Sequence, residues 1–213
     1  MTADYTIYYA PTPNGKKITL AAEEMGLNYK VEPVRFSSKD QFKPEFLKIN
    51  PNSKIPALVD HTATGGDLAV FESGAILEYL AEKTGKLLPP ASDIRRRTAV
   101  KQWLYWQMAG FGPMLGQAGF FFKFAKEDIP AGKERYLNES IRLFGVLDKQ
   151  LSENKFVAGD EYSIADISIY WWSIAVYDVD EIKEHFEKFE NVKRWQKKVA
   201  ARPAVEKAKA VEF

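Results

Sequence analysis

The hydrophobic pattern changes once along the chain, at Pro89-Pro90, and that change limits the fold more than any other feature. Before it, strands and helices alternate. Tyr5 to Ala10 is a short aromatic and β-branched run closed by Pro11-Thr12-Pro13-Asn14-Gly15, a strand followed by a turn. Ile18, Leu20, Ala21, Ala22 and Met25 then form a helical stripe that Gly26 stops. Tyr29 to Arg35 alternates as a second strand. Strand–helix–strand implies parallel pairing through a right-handed crossover. Ser37 to Asn52 reads as an irregular or weakly helical connection. Ile55 to Asp60 is a third strand, with Pro56 tolerable only at a strand start or a special bond. Gly65-Gly66 lies in a hairpin turn leading to a fourth strand, Leu68 to Phe71, and a helix follows as far as Gly85.

Beyond the linker, Lys86 to Asp93, only helical spacing is found. Helices are expected over 94–108, 132–154, 163–176, 181–189 and 192–201, with Gly110, Gly112, Pro113, Gly116 and Gly119 breaking or bending the chain between the first two. The expected class is α/β plus all-α: a mixed-sheet domain at 1–85 and a helical domain at 93–213.

Composition narrows the chemistry. There is no cysteine, so disulfides, thiolate metal sites and a cysteine nucleophile are excluded together. Any thiol chemistry must borrow its sulfur from a ligand. Two histidines, His61 and His185, do not suggest a metal site, and none is expected. With 30 Lys+Arg against 29 Asp+Glu, no global field favours nucleic acid or an anionic membrane. The opening MTADYTIYYA does not read as a signal peptide, so a cytoplasmic location is the expectation.

Four short motifs stand out. Ser163 and Asp166, flanked by Tyr162 and Ile167, have the spacing of a capping box with its hydrophobic staple. That is a structural role, worth about 1 kcal/mol or more. Glu72-Ser73 closes a strand and opens a helix, whose free N–H groups attract a carboxylate. Glu72 would repel a plain anion there, so a zwitterion fits better. Lys54-Ile55-Pro56 offers a cation and, if the Ile55–Pro56 bond is cis, an outward backbone for a peptide ligand. Thr12 and Asn14 sit where the first strand meets the first helix. They could cap the turn or hold a thiolate at the helix N-terminus.

Taken in order along the whole chain, these motifs resemble cytosolic glutathione transferases. The strings Ala10 to Ile18, Gln41 to Phe46 and Gly112 to Gln117 are similar to those of the Nu class, the bacterial and fungal relatives of a yeast nitrogen-catabolite regulator. The resemblance implies a thioredoxin-like first domain, an all-helical second domain and a homodimer with a glutathione site in each first domain. It places Thr12 and Asn14 at the glutathione sulfur, with Tyr8 or Tyr9 as the alternative, since tyrosine-type transferases hold the thiolate with a strand-end tyrosine. Gln41, Lys54, Ile55, Glu72 and Ser73 would hold the rest of the tripeptide, with Arg135 contributed by the helical half. Disulfide reduction is prominent in that class, with glutathione or its disulfide bound and a small disulfide or electrophile as co-substrate. The alternatives are conjugation, organic peroxide reduction, or a regulatory module that binds glutathione without turnover.

Overall fold

The computed structural model describes residues 2–211. They form two compact units. One runs as far as Lys86 and includes the segment from Arg202; the other spans Leu87–Ala201.

In the first unit, β1 (Tyr5–Tyr9) leads to α1 (Pro13–Met25) and β2 (Tyr29–Pro33). A short 3-10 turn (Asp40–Phe42) and α2 (Pro44–Leu47) precede β3 (Ala57–Asp60), β4 (Leu68–Phe71) and α3 (Ser73–Thr84). The sheet order is β2-β1-β3-β4. The β1–β2 pair is parallel, as the crossover requires, and the β1–β3 and β3–β4 pairs are antiparallel. Ile18, Ala21, Ala22 and Met25 form the buried stripe of α1, and Ile76, Leu77 and Leu80 that of α3. Gly26 and Gly85 end the two helices in left-handed conformations.

The segment from Arg202, read from sequence with the helical half, packs in this first unit. Its helix α9 (Pro203–Lys209) lies on α1, and the Arg202 guanidinium forks onto both carboxylate oxygens of Glu24.

One buried carboxylate ties β3 to α3. Asp60 is fully buried and accepts from Tyr79 Oη at 2.5 Å, from Thr62 N at 2.7 Å and Thr62 Oγ1 at 2.8 Å, and from Lys83 Nζ. Burial alone would raise its pKa. The Lys83, Tyr79 and Thr62 hydrogen bonds outweigh burial and hold it at about 2. A pKa depressed on folding gives stability that is complete above the unfolded value and lost as pH falls through the folded one. Asp60 should therefore contribute about 2 kcal/mol near neutral pH, lost between roughly pH 4 and pH 2. Urea unfolding across that window should show Asp60→Asn to be less stable than wild type at pH 7 and flatter in its acid limb.

The second unit is helical. Its long helices are α4 (Ile94–Trp106), α5 (Gly112–Gly119), α6 (Pro130–Glu153), α7 (Ile164–Ala175) and α8 (Glu190–Ala200). The glycines expected to break or bend the chain after α4 do not end the helical path. Two π-helical turns, Gln107–Phe111 and Phe120–Phe124, carry the helical path through α5 instead. Close packing explains two of the glycines. A Cβ on Gly112 would stand 2.3 Å from Gln107 Nε2, and one on Gly116 would stand 3.2 Å from the Trp172 ring. The helix expected over 181–189 is a single 3-10 turn, Lys183–Phe186. One turn suffices to bury Ile182 and Phe186, and so short a helix has little stability of its own.

The expected capping box opens α7. Asp166 accepts from Ser163 N at 3.0 Å, and Ser163 Oγ accepts from Ala165 N at 3.3 Å. Asp166 also accepts from Val157 N and from Trp195 Nε1 of α8, both at 2.9 Å. It is fully buried. Burial pushes its pKa up to about 6, opposed by these hydrogen bonds.

Candidate functional site

Strand register gathers most of the candidate residues at one edge of the first unit's sheet. Tyr8 pairs with Ala57 and Ala57 with Phe71, so three strand ends meet there. From β1 the chain enters Thr12 and Asn14. Ile55-Pro56 leads into β3, and β4 exits into Glu72-Ser73. Tyr9 pairs with Pro33 at the end of β2, after which the chain runs on to Gln41.

Thr12 is the N-cap of α1, in extended conformation, and its Oγ1 accepts from Gly15 N at 3.2 Å. As acceptor in the cap, its hydroxyl keeps a hydrogen to donate. Asn14 is the second residue of α1 and is half-buried. Gly15 lets α1 start tight against β1, since a Cβ there would meet the Ala10 carbonyl oxygen at 2.1 Å. Tyr9 is 1% exposed, with its ring against Gly15, and burial raises its pKa. Tyr8 is half-buried against Phe46, its pKa raised by burial, Glu32 and Asp67.

The Ile55–Pro56 peptide bond is cis. Ile55 precedes the sheet ladder, which begins at Ala57, and its side chain packs on the cluster of Val34, Phe46 and Ala57. Lys54 is exposed, its carbonyl accepting from Asn50 Nδ2 at 2.6 Å. Gln41 is half-buried, and its Oε1 is a buried acceptor with no hydrogen-bond partner.

Glu72 has φ 71° and ψ 119°, a region that L-residues rarely occupy. Holding it there costs on the order of 1–3 kcal/mol, and such strain clusters at ligand sites. Its side chain is exposed and does not cap α3. Ser73, buried at the first position of α3, accepts from Lys17 Nζ at 3.3 Å. The edge of the sheet thus holds two helix starts, each with a hydroxyl, and a lysine beneath one of them.

Arg135 belongs to the second unit. It is exposed on α6 and lines a cavity of about 700 Å3 with Met114, Tyr136, Glu139 and Arg142. Among the described residues, no group of three or more His, Asp or Glu is placed to hold a metal ion. No helix among them is long and apolar enough to cross a membrane.

Sequence reasoning missed three features. Lys17 is 1% exposed. Its place four residues before Ala21 on the buried stripe was a signal. Arg35, Phe36 and Ser37 line a cavity of about 380 Å3 together with Ala10, Pro11 and Thr12, and nothing in their spacing announced it. The left-handed backbone of Glu72 had no signal either, because such positions usually take glycine.

Comparison with known proteins agrees along the chain. Residues 3–82 match the N-terminal domain of glutathione S-transferases, and residues 111–203 match their C-terminal domain. The chain is 47% identical over 204 residues to disulfide-bond oxidoreductase YfcG of Escherichia coli (strain K12), covering 95% of this chain and 93% of that protein. A glutathione transferase from Burkholderia graminis, crystallised with two glutathione molecules per subunit, superposes with a TM-score of 0.91 at 44% identity, over 97% of this chain and 87% of that one. One from Pseudomonas putida, crystallised with one glutathione disulfide per subunit, gives 0.92 at 41% identity, over 99% and 93%. With a thioredoxin-like first unit, a helical second unit and relatives of this kind over nearly its full length, the chain belongs to the glutathione S-transferase family, in its Nu class.

Proposed function

We propose that this protein is a glutathione-dependent disulfide reductase in which bound glutathione supplies the reacting sulfur. The observation that carries the reading is a helix N-terminus, with Thr12 as its N-cap and Asn14 in its first turn, beside a cavity in a chain that has no cysteine. The N–H groups of α1, the Asn14 amide and the Thr12 hydroxyl favour the charged form of the ligand's thiol. The glutathione thiolate attacks one sulfur of a disulfide, forming a mixed disulfide and releasing the other sulfur as thiolate. A second glutathione thiolate then attacks the mixed disulfide, giving glutathione disulfide and the second substrate thiol. The relatives with two glutathiones or one glutathione disulfide per subunit support this sequence.

Gln41 offers its orphan acceptor to the tripeptide, Lys54 a cation and Ile55 its backbone. The first turn of α3 with Ser73 receives the γ-glutamyl carboxylate, and Glu72 its ammonium. Arg135, on α6, is the glutathione-binding arginine that the resemblance implies. A cytoplasmic homodimer belongs to the same reading.

Two assays with saturating glutathione test the reaction class. Hydroxyethyl disulfide should turn over faster than chlorodinitrobenzene. The reverse order would make the protein a conjugating transferase. Retention on glutathione-agarose without turnover of either would make it a binding module.

A further inference from the structure

Asn50 has no part in that mechanism, yet it is buried at the root of the loop that carries Lys54 and Ile55. It gathers the backbone of three consecutive residues. Its Oδ1 accepts from Asn52 N at 2.9 Å, its carbonyl accepts from Ser53 N at 3.1 Å, and its Nδ2 donates to Lys54 O at 2.6 Å. Only one setting of the side-chain amide serves both of its contacts, because a backbone N–H needs an acceptor and a carbonyl needs a donor. The first two links close the turn. The third lies beyond it and fixes the peptide group that joins Lys54 to Ile55. That peptide bond is trans, so its C=O and N–H point in opposite directions. Pinning the Lys54 carbonyl onto Asn50 therefore turns the Ile55 N–H away from Asn50. The Ile55 N–H makes no hydrogen bond among the described residues. The Ile55 side chain, packed on Val34, Phe46 and Ala57, steadies the same segment from the other side.

We propose that Asn50 is a positioning residue that, through the Lys54 carbonyl, aims the Ile55 N–H at the cysteinyl carbonyl of glutathione. This rests on the glutathione reading and extends it to a residue that touches no ligand atom. In the sheet, β3 lies between β1 and β4. Ile55, just before β3, thus stands between the helix start assigned to the sulfur and the one assigned to the γ-glutamyl group. The cysteinyl unit is the part of glutathione that spans them. An N–H aimed before the ligand arrives loses less freedom on binding. A carbonyl seated on it also polarises the peptide group and strengthens the Lys54 oxygen as an acceptor, so the two hydrogen bonds support each other.

The test uses two thiol-free probes, so that ionisation of the ligand sulfur plays no part. One is S-methylglutathione. The other is its E-alkene isostere, in which CH=CH replaces the cysteinyl–glycine amide. It lacks the cysteinyl carbonyl and the glycyl N–H but keeps both ends of the ligand and the sulfur. By calorimetry the wild-type protein should prefer S-methylglutathione about tenfold. Asn50→Asp keeps an acceptor for Asn52 N, but its carboxylate offers no donor to Lys54 O. It should cut the preference to about twofold or less. A preference still near tenfold in a folded variant overturns the proposal, whether or not both probes weaken, since a merely structural asparagine does not distinguish them. A wild type that binds both probes equally also overturns it, while the glutathione reading stands. A wild type that binds neither overturns both. Should Asn50→Asp fail to fold, the Asn50 side-chain amide protons of the wild-type protein decide. They should move downfield with S-methylglutathione and not with the isostere, and equal shifts, or none, overturn the proposal.

Discussion

Asp166→Ala should destabilise the protein by about 4 kcal/mol, well above the ~1 kcal/mol of an ordinary helix cap. The carboxylate is the acceptor for Val157 N, Ser163 N and Trp195 Nε1, all within the buried core. Removing it strands three N–H donors without water, each costing about 1–3 kcal/mol, and takes an acceptor from the Ser163 hydroxyl. Relaxation around the smaller side chain recovers part of the sum. Asp166→Asn should not rescue, because its amide nitrogen would face donors. Urea unfolding at neutral pH measures the loss. Binding of S-methylglutathione by the fraction that remains folded should stay within about twofold of wild type, since Asp166 lies in the second unit's core and touches no proposed ligand group. A loss near 1 kcal/mol would mean that the links to Val157 and Trp195 carry no weight.

The largest functional loss short of unfolding should come from Asn14→Ala. The expected fall in kcat for hydroxyethyl disulfide is about tenfold to a hundredfold, the scale on which one donor to a developing or stabilised anion acts. Stability should change little. The cap of α1 is made by Thr12 through Gly15 N, so the helix start does not depend on the Asn14 side chain to satisfy that donor. Activity and melting temperature measured on the same samples separate the two effects. If activity stays within about twofold of wild type, Asn14 does not hold the thiolate, and Tyr9→Phe becomes the next variant to test.

Much of this architecture was legible from local chemistry. A two-residue period, Gly65-Gly66 and the two glycine C-caps located the strands and helices of the first unit, because each signal lies within a few residues. The Ser163–Asp166 box was legible for the same reason. Its link to Trp195 was not, since 29 residues separate the pair and no spacing rule spans them. Gly112 and Gly116 were read only as residues that break or bend the chain. Their role is close packing against Gln107 and Trp172, and absence of a side chain does not distinguish the two uses. Arg202 was assigned to the helical half because its neighbours are helical, whereas its guanidinium pairs with Glu24 of α1. At the site, the sheet register that brings Thr12, Ile55 and Glu72 to one edge followed from the strand order. Lys17 was concealed by its type, because lysines are rarely buried without a partner and its partner, Ser73, lies 56 residues away.

The central claim is that the protein lends electrostatics and aim to a sulfur it does not own. The most direct measurement is the pH dependence of hydroxyethyl disulfide reduction at saturating glutathione, on protein pretreated with a thiol-alkylating agent and then freed of it. Pretreatment should leave the rate unchanged, since there is no cysteine to alkylate. The rate should rise with pH to a plateau whose midpoint lies below the ~8.5 of an ordinary thiol, reporting ionisation of the bound ligand. A midpoint no lower than that of free glutathione would contradict a thiolate-stabilising site, even with disulfide reduction intact.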